Sequence, residues 1–527
     1  MRGVPIAEPV GFRAMAPSAA APAPLPQRSL LGSGVLLLCG LALSPVVGLG
    51  LFALQSSDAL QSLRLGSEGP IQVGNTLALL ALVGLLAAVL GTSTGWLTAR
   101  CRFPGRRWLR IAQLLPLATP SYLLAATLID LGSRLGLRVH GFLPTTLVLV
   151  LSTYSYVFLL STESFSVSGK RQMEACRSLG VGPWGSFRRV ALPMALPAIG
   201  AGMALGGMEV VNELGAVELL GVPTLSGGIL MRWQQDGDPR AAVALALVAL
   251  LIVALLVGAE RSLRRRSRCW NLGNDGQADQ GWGLQGPRRW LSQLICLVPP
   301  LLSLGVPLLW SGLSWDQLQA ENPIELLGLS GRSFGLALLA AAITVAAGLL
   351  LAIAKRWLPN LLLQRLSFIA GLGYAVPGTV LALALMLIGG PLALAPLLLL
   401  VWGYSDRFLA VAKGGLDAAL ERIPPSVDEA ATSLGQSWIG VLQRVHLPLL
   451  RGPLLVGGLL VFVDTVKELP LTFALRPFDF DTLAVRVYQY ASDERLGAAL
   501  LPALLVLGLG LIAAMALVPN LERLEQR

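Results

Sequence analysis

The stretch "EAATSLGQSWIGVLQRVHLP", Glu429 to Pro448, sits between two apolar runs in a chain that is otherwise poor in charge. A second version, "EACRSLGVGPWGSFRRVALP", runs from Glu174 to Pro193. At an offset of 255 residues Glu174 matches Glu429, Gly180 matches Gly435, Arg189 matches Arg444 and Pro193 matches Pro448. One polar device has been written twice, so the chain is an internal duplication.

Working outward, composition places both copies in a membrane protein. Of 527 residues, 54% are hydrophobic and 13% charged, and the mean hydropathy is +0.68. Soluble chains carry about 25% charged residues. Apolar windows of roughly 20 residues, enough for a helix to cross about 30 Å of hydrocarbon, recur near 31–54, 73–99, 111–132, 142–163, 196–215 and 241–260. Six more lie near 291–313, 333–354, 366–388, 391–412, 454–474 and 496–518. The expectation is an all-α membrane protein of about twelve transmembrane helices in two pseudo-symmetric six-helix halves. Its parts are a disordered tail over 1–30, a first half over 31–260 with its polar loop at 169–195, and a linker over 261–290. A second half over 291–520, with its loop at 424–450, and a short tail over 521–527 complete the chain.

Basic residues orient these spans, because cytoplasmic loops carry an excess of Lys and Arg. Arg100, Arg102, Arg106, Arg107 and Arg110 follow the second span, and Lys170, Arg171, Arg177, Arg188 and Arg189 follow the fourth. Arg261, Arg264, Arg265, Arg266 and Arg268 follow the sixth, whereas the alternate loops are sparse. Both polar loops and both termini are therefore expected in the cytoplasm. The formal net charge of +10 has the same origin, and "RSLRRRSR" after a membrane span reads as an orientation signal rather than a nucleic-acid patch. The first span is too long for a signal-peptide core and is read as retained. The five cysteines show no metal-ligand spacing and no disulfide framework.

The duplication extends past the loops. "MEVVNELGAV" from Met208 matches "VDTVKELPLT" from Val463 at the same offset, and "ATPSYLLA" from Ala118 matches "AVPGTVLA" from Ala375 at 257. Two similar halves can rock about a central site, as in many transporters. In the second loop, Pro424, Pro425 and Ser426 precede a short helix and Gly435 ends it. Ser426 with Glu429 has capping-box spacing. Small side chains after each glutamate (Ala175, Ala430) would let such a helix seat deeply in a groove, and the glycines would turn the chain sharply. Residues alone leave docking segment and structural elbow equally open.

The pattern E-A-[AC]-x-S-L-G followed by V-x-L-P resembles the "EAA" loop of binding-protein-dependent ABC importer permeases. The resemblance implies the type I ABC importer permease fold, with Glu174, Ala175, Gly180, Pro193, Glu429, Ala430, Gly435 and Pro448 at the two coupling loops to ATPase subunits. It further implies a periplasmic solute-binding protein as partner, residence in a bacterial inner membrane, and ATP consumed by the separate ATPase. The resemblance also implies a non-catalytic subunit that binds no cofactor itself, which agrees with the absence of a G-x-x-x-x-G-K-[ST] phosphate loop from the sequence. "VDTVKELPLTFALRPFDFDTLAVRVYQYASDE" and "NELGAVELLGVPTLSGGI" resemble fused ferric-iron importer permeases. Importers of thiamine, polyamines and other small solutes share that layout. An ion-gradient-driven transporter and a membrane enzyme remain alternatives, the latter without a nucleophile–base pair or metal motif.

Ionisable groups inside apolar spans are costly unless paired or wetted. Asp464, Lys467 and Glu468 share one helical face, with Asp464 and Lys467 spaced for an ion pair. Glu209, Asn212 and Glu213 occupy the equivalent face earlier. Two readings stand: a translocation path flanked by Glu213 and Glu468, or interhelical hydrogen bonds and caps. Asp406 and Arg407, in "GYSDRFLAV", either pair with neighbours or lie near the cytoplasmic exit. His446 is expected at the surface, and no metal ligand is assigned.

Overall fold

The computed structural model describes residues 25–55, 67–167, 175–176, 178–268, 282–317, 323–358 and 360–525. The chain runs through α1 (Leu25–Leu54), α2 (Gly69–Arg100), α3 (Arg106–Ala112), α4 (Ser121–Arg134), α5 (Phe142–Val167), α6 (Leu192–Asn212), α7 (Gly215–Leu219) and α8 (Leu225–Leu230). Next come α9 (Pro239–Arg268), α10 (Pro287–Pro300), α11 (Val306–Leu313), α12 (Pro323–Trp357), α13 (Leu361–Ala370) and α14 (Gly378–Gly389). The last are α15 (Pro396–Leu420), α16 (Ser426–Ser433), α17 (Leu447–Lys467), α18 (Pro470–Leu475), α19 (Leu483–Ser492) and α20 (Leu496–Glu525).

The protein is all-α, and each of the twelve expected spans has a helical counterpart, but the count of crossings needs correction. Among the described residues, eight helices are long and apolar enough to cross a membrane, or ten if two bent pairs each count once. The bent pairs are Arg106–Ala118 with Ser121–Arg134, at 92°, and Leu361–Ala375 with Gly378–Gly389, at 116°. Pro120 and Pro377 stand at the two breaks in extended conformation, where proline cannot supply the N–H that would continue the helix. Of the remaining two, α15 carries Asp406, Arg407 and Lys413, and the apolar stretch Leu496–Ile512 is short.

The expected domain boundaries also differ from the packing. Leu31, Val35, Cys39 and Ala42 of α1 share a buried cluster with Leu351, Ile353 and Leu409, and Trp402 Nε1 donates to Leu41 O at 3.2 Å. The first span thus covers the second half. Conversely, α10 and α11 pack on the first: Cys296 lies with Cys101 and Trp96, and Trp310 Nε1 donates to Asp130 Oδ2 at 2.9 Å. The tail expected over 1–30 gives way to helix from Leu25, and the tail over 521–527 is helical to Glu525; residues 1–24 and 526–527 lie outside the described residues. The linker expected over 261–290 is likewise shorter, because α9 continues to Arg268 and α10 begins at Pro287. Within it Trp282 and Gly283 pair in parallel with Cys101 and Arg102, so its end is anchored; residues 269–281 are outside the described set.

Close helix approach depends on glycine, since apolar lipid gives helices little hydrophobic reason to associate and small residues let backbones touch. A Cβ on Gly91 would lie 2.8 Å from Phe158 N and Tyr154 O, and one on Gly202 would lie 2.7 Å from Val157 Cα. Helix α5 is therefore held between α2 and α6 at near-contact distance. Gly91→Ala and Gly202→Ala should each lower the melting temperature of the purified protein, through an overpacking cost of about 1–3 kcal/mol. Gly74→Ala, whose Cβ would meet nothing within 4 Å, should be neutral, and identical melting temperatures for all three would contradict this packing.

Candidate functional site: a cavity between the halves and two polar loops

The two bent spans and the ends of α6 and α17 meet around a cavity of about 530 Å³. Its ionisable lining consists of Glu209, Glu213, Asp464 and Glu468 against Arg407 and Lys467. All six expected path residues, Asn212 included, are on this wall.

Each bend exposes backbone groups that its own helix cannot satisfy. The other half supplies the partner. Asn212 Oδ1, at the end of α6, accepts from Gly378 N at 2.7 Å, the first residue of α14. Lys467 Nζ, at the end of α17, donates to Leu117 O at 3.2 Å, just before the first bend. Asn212 and Lys467 are equivalent at the 255-residue offset, so the two contacts are reciprocal. Lys467 is also held by Asp464 Oδ1 at 2.8 Å. Arg407 NH1 adds a bond to Asn212 Oδ1 at 3.0 Å and another to Val376 O at 3.3 Å. Arg407 therefore belongs to the cavity, while its neighbour Asp406 is buried with Oδ1 unpartnered.

Glu213 and Glu468 cap the short helices α7 and α18 that follow α6 and α17. Glu213 Oε1 accepts from Ala216 N at 2.9 Å and Oε2 from Ser121 Oγ at 2.6 Å. Glu468 accepts from Leu471 N and Thr472 N, both at 3.0 Å, and from Thr472 Oγ1 at 2.9 Å. The path reading and the cap reading thus fall on the same side chains. Two tyrosines not singled out in the sequence complete the wall: Tyr374 OH and Tyr156 OH donate to Glu209 Oε1 at 2.7 and 3.3 Å. A polar hydroxyl inside an apolar span was the available signal for each.

The two polar loops close alike. Gly180 and Gly435 have φ of 70° and 78°, the left-handed region that glycine enters without a Cβ penalty. Val181 N donates to Cys176 O at 2.8 Å and Gln436 N to Ala431 O at 3.1 Å, the six-residue closure of a Schellman motif. Each loop then enters its span through a π-helical turn, Phe187–Ala191 and Leu442–His446, with Pro193 and Pro448 in the first turn of α6 and α17. Ala175 and Ala430 are exposed, and so are the equivalent Leu179 and Leu434, at 79% and 81%. Glu174 lies outside the described residues.

Two expectations for the second loop require correction. The capping box does not form: Pro425 takes the N-cap position, no side chain caps the helix, and Ser426 is already its first residue. His446 is not at the surface but 0% exposed, with Nε2 3.0 Å from Asp428 Oδ1. Asp428, missed in the sequence, is the centre of that contact. Burial raises its pKa, but the close approach of His446 and the hydrogen bonds from Arg356 and Trp357 outweigh burial and bring it down to about 2. A depressed carboxylate stabilises the fold above its unfolded pKa of about 3.9, and that contribution disappears as pH falls through about 2.

Residues 79–268 match the family model described as binding-protein-dependent transport system inner membrane component. A probable molybdenum ABC transporter permease protein of Haloferax volcanii is 33% identical over 184 residues, 33% of this chain and 68% of its own length. The chain belongs to this permease family. It is a multi-pass membrane subunit of an ABC importer. The Fe(3+)-transport system permease protein FbpB 2 of Haemophilus influenzae is 26% identical over 448 residues, covering 81% of this chain and 85% of that one. The sulfate transport system permease protein CysT of Escherichia coli is 28% identical over 200 residues, 36% of this chain and 72% of that one.

The two capping glutamates of this permease should respond differently to neutralisation. In Glu213→Gln the amide oxygen still accepts from Ala216 N and the NH2 group can donate to Ser121 Oγ. In Glu468→Gln one set of backbone donors must face an NH2 group, a loss of about 1–3 kcal/mol for a buried unsatisfied donor. Folded yield and melting temperature should therefore drop for Glu468→Gln and hold for Glu213→Gln; the reverse order would contradict the capping geometry.

Proposed function

We propose that this chain forms the gated path of an ATP-driven importer of ferric iron, delivered by a periplasmic binding protein, with ATPase subunits seated on the two polar loops. The observation that carries the substrate class is the charge of the cavity wall: four carboxylates face two cationic side chains. Such a wall favours a passing cation and repels sulfate or molybdate, because like charge in a partly desolvated site is costly. A relative whose match extends across most of both chains is named an Fe(3+)-transport permease, which agrees with that charge.

The seating of an ATPase rests on the exposed pair Leu179 and Leu434. Each projects from a loop closed by a left-handed glycine, in the paired arrangement that two copies of one partner require. The loops and both termini face the cytoplasm, as the basic residues direct. ATP closure beneath the loops drives the halves apart at the Asn212–Gly378 and Lys467–Leu117 contacts, and the cavity changes the side to which it opens. Hydrolysis belongs to the partner; this subunit does no covalent chemistry and binds no cofactor.

Vesicles holding the permease, its ATPase and its binding protein should take up labelled ferric ion, with no competition from sulfate, molybdate, thiamine or polyamine. Uptake of one of these solutes in place of iron would overturn the substrate, and uptake driven by an ion gradient without ATP would overturn the class. Gly435→Val forces a β-branched residue to positive φ, at a strain of about 1–3 kcal/mol, and Leu434→Asp puts a charge in the apolar contact. Both should abolish stimulation of the ATPase by loaded binding protein; normal stimulation in both would refute docking at this loop.

A further inference from the structure

The second loop is bolted to the membrane helices through one buried carboxylate, Asp428. Arg356, next to last in α12, donates Nε to Asp428 Oδ2 at 2.7 Å. Its NH1 donates to Leu420 O and Ile423 O, both at 2.9 Å, and its NH2 to Pro424 O at 3.2 Å. The guanidinium therefore caps the end of α15 while it grips α16. Trp357 Nε1 donates to the same Asp428 oxygen at 3.2 Å. His446, at the mouth of α17, meets the other oxygen, and its ring packs edge-on against Trp357 at 5.6 Å between centroids. One carboxylate on α16 thus ties three membrane helices together. A charge buried this way tolerates no loss of partners, since removing one leaves the others desolvated and unpaired.

At the 255-residue offset, the position of His446 is Ala191 and that of Asp428 is Met173. Met173 lies outside the described residues, but its side chain is a thioether that cannot accept an ion pair. The asymmetry lies in the sequence itself, in two loops that otherwise share their glycine, their closure and their π-helical turn.

We propose that Asp428, with Arg356 and His446, is a positioning latch that makes α16 move as one piece with α12, α15 and α17, so that the second loop transmits ATPase motion rigidly. The latch does not touch solute or nucleotide. It sets the efficiency with which closure of the ATPase becomes rotation of the second half, and it rests on the reading of this loop as an ATPase seat.

The test uses the full permease–ATPase complex in vesicles with its binding protein. Three quantities are read: ATPase retained on purification, the ratio of ATP turnover with and without loaded binding protein, and solute moved per ATP. Asp428→Asn and His446→Ala should retain the ATPase at wild-type stoichiometry. In both, the turnover ratio and solute per ATP should fall about tenfold, within the usual span of coupling energies. His446→Gln, which restores a donor towards Asp428, should recover most of the loss. A merely structural role would lower retention in step with the other two readouts and show no rescue. Wild-type ratio and solute yield in Asp428→Asn and His446→Ala would overturn the latch while leaving docking intact. If Asp428→Asn does not assemble, the His446→Ala and His446→Gln pair decides alone, with equal coupling in both counting against the latch. A wild-type permease that retains no ATPase would overturn the docking reading and the latch together.

Discussion

Two membrane helices break, after Ala118 and after Ala375, and a broken helix in lipid leaves backbone groups that water cannot reach. The rest of the molecule is arranged to satisfy them. Asn212 serves the N–H of Gly378, and Lys467 serves the carbonyl of Leu117. In each case the donor or acceptor comes from the opposite half. The halves are thereby held in register by polar contacts that are short, few and reversible, rather than by a continuous apolar seam at this point.

This arrangement places the polar groups on the wall of one cavity between the halves. The carboxylates that cap α7 and α18 also line the cavity, and Glu209 gathers a tyrosine from each half. Ionisable groups within a membrane are kept only where they are paired or face a wet interior, and here both conditions hold together. Polar contacts across the interface can exchange for water as the halves part, so separation costs less than exposing an equal apolar area would. The loops are the other end of the same machine. Their matched glycines and closures give them one shape, and the buried Asp428 contacts give the second a rigid root.

Much of this was legible in the residues. The 255-residue offset paired Asn212 with Lys467 and Gly180 with Gly435 before any helix was placed, and the Asp464–Lys467 spacing named its ion pair. Hydropathy, however, says that a helix is apolar without saying which neighbour it covers. The crossing of α1 onto the second half and of α10 onto the first was therefore hidden. His446 read as a surface residue because the Trp357 ring that packs on it lies far back in the chain, at the end of another helix. Ser426 had the spacing of a cap, but Pro425 already occupied that place. Tyr156, Tyr374 and Arg407 became site residues only when the bends brought both halves to one wall.

The central claim is that the halves part at the reciprocal contacts when ATP is used. It is tested most directly by a spin-label distance between Ser152 and Leu460, one on each half and both on the cavity wall, in a complex freed of native cysteines. A second distance population should appear when ATP and loaded binding protein are both present, and should vanish when either is withdrawn. A single unchanged distribution during measured ATP turnover would contradict the account.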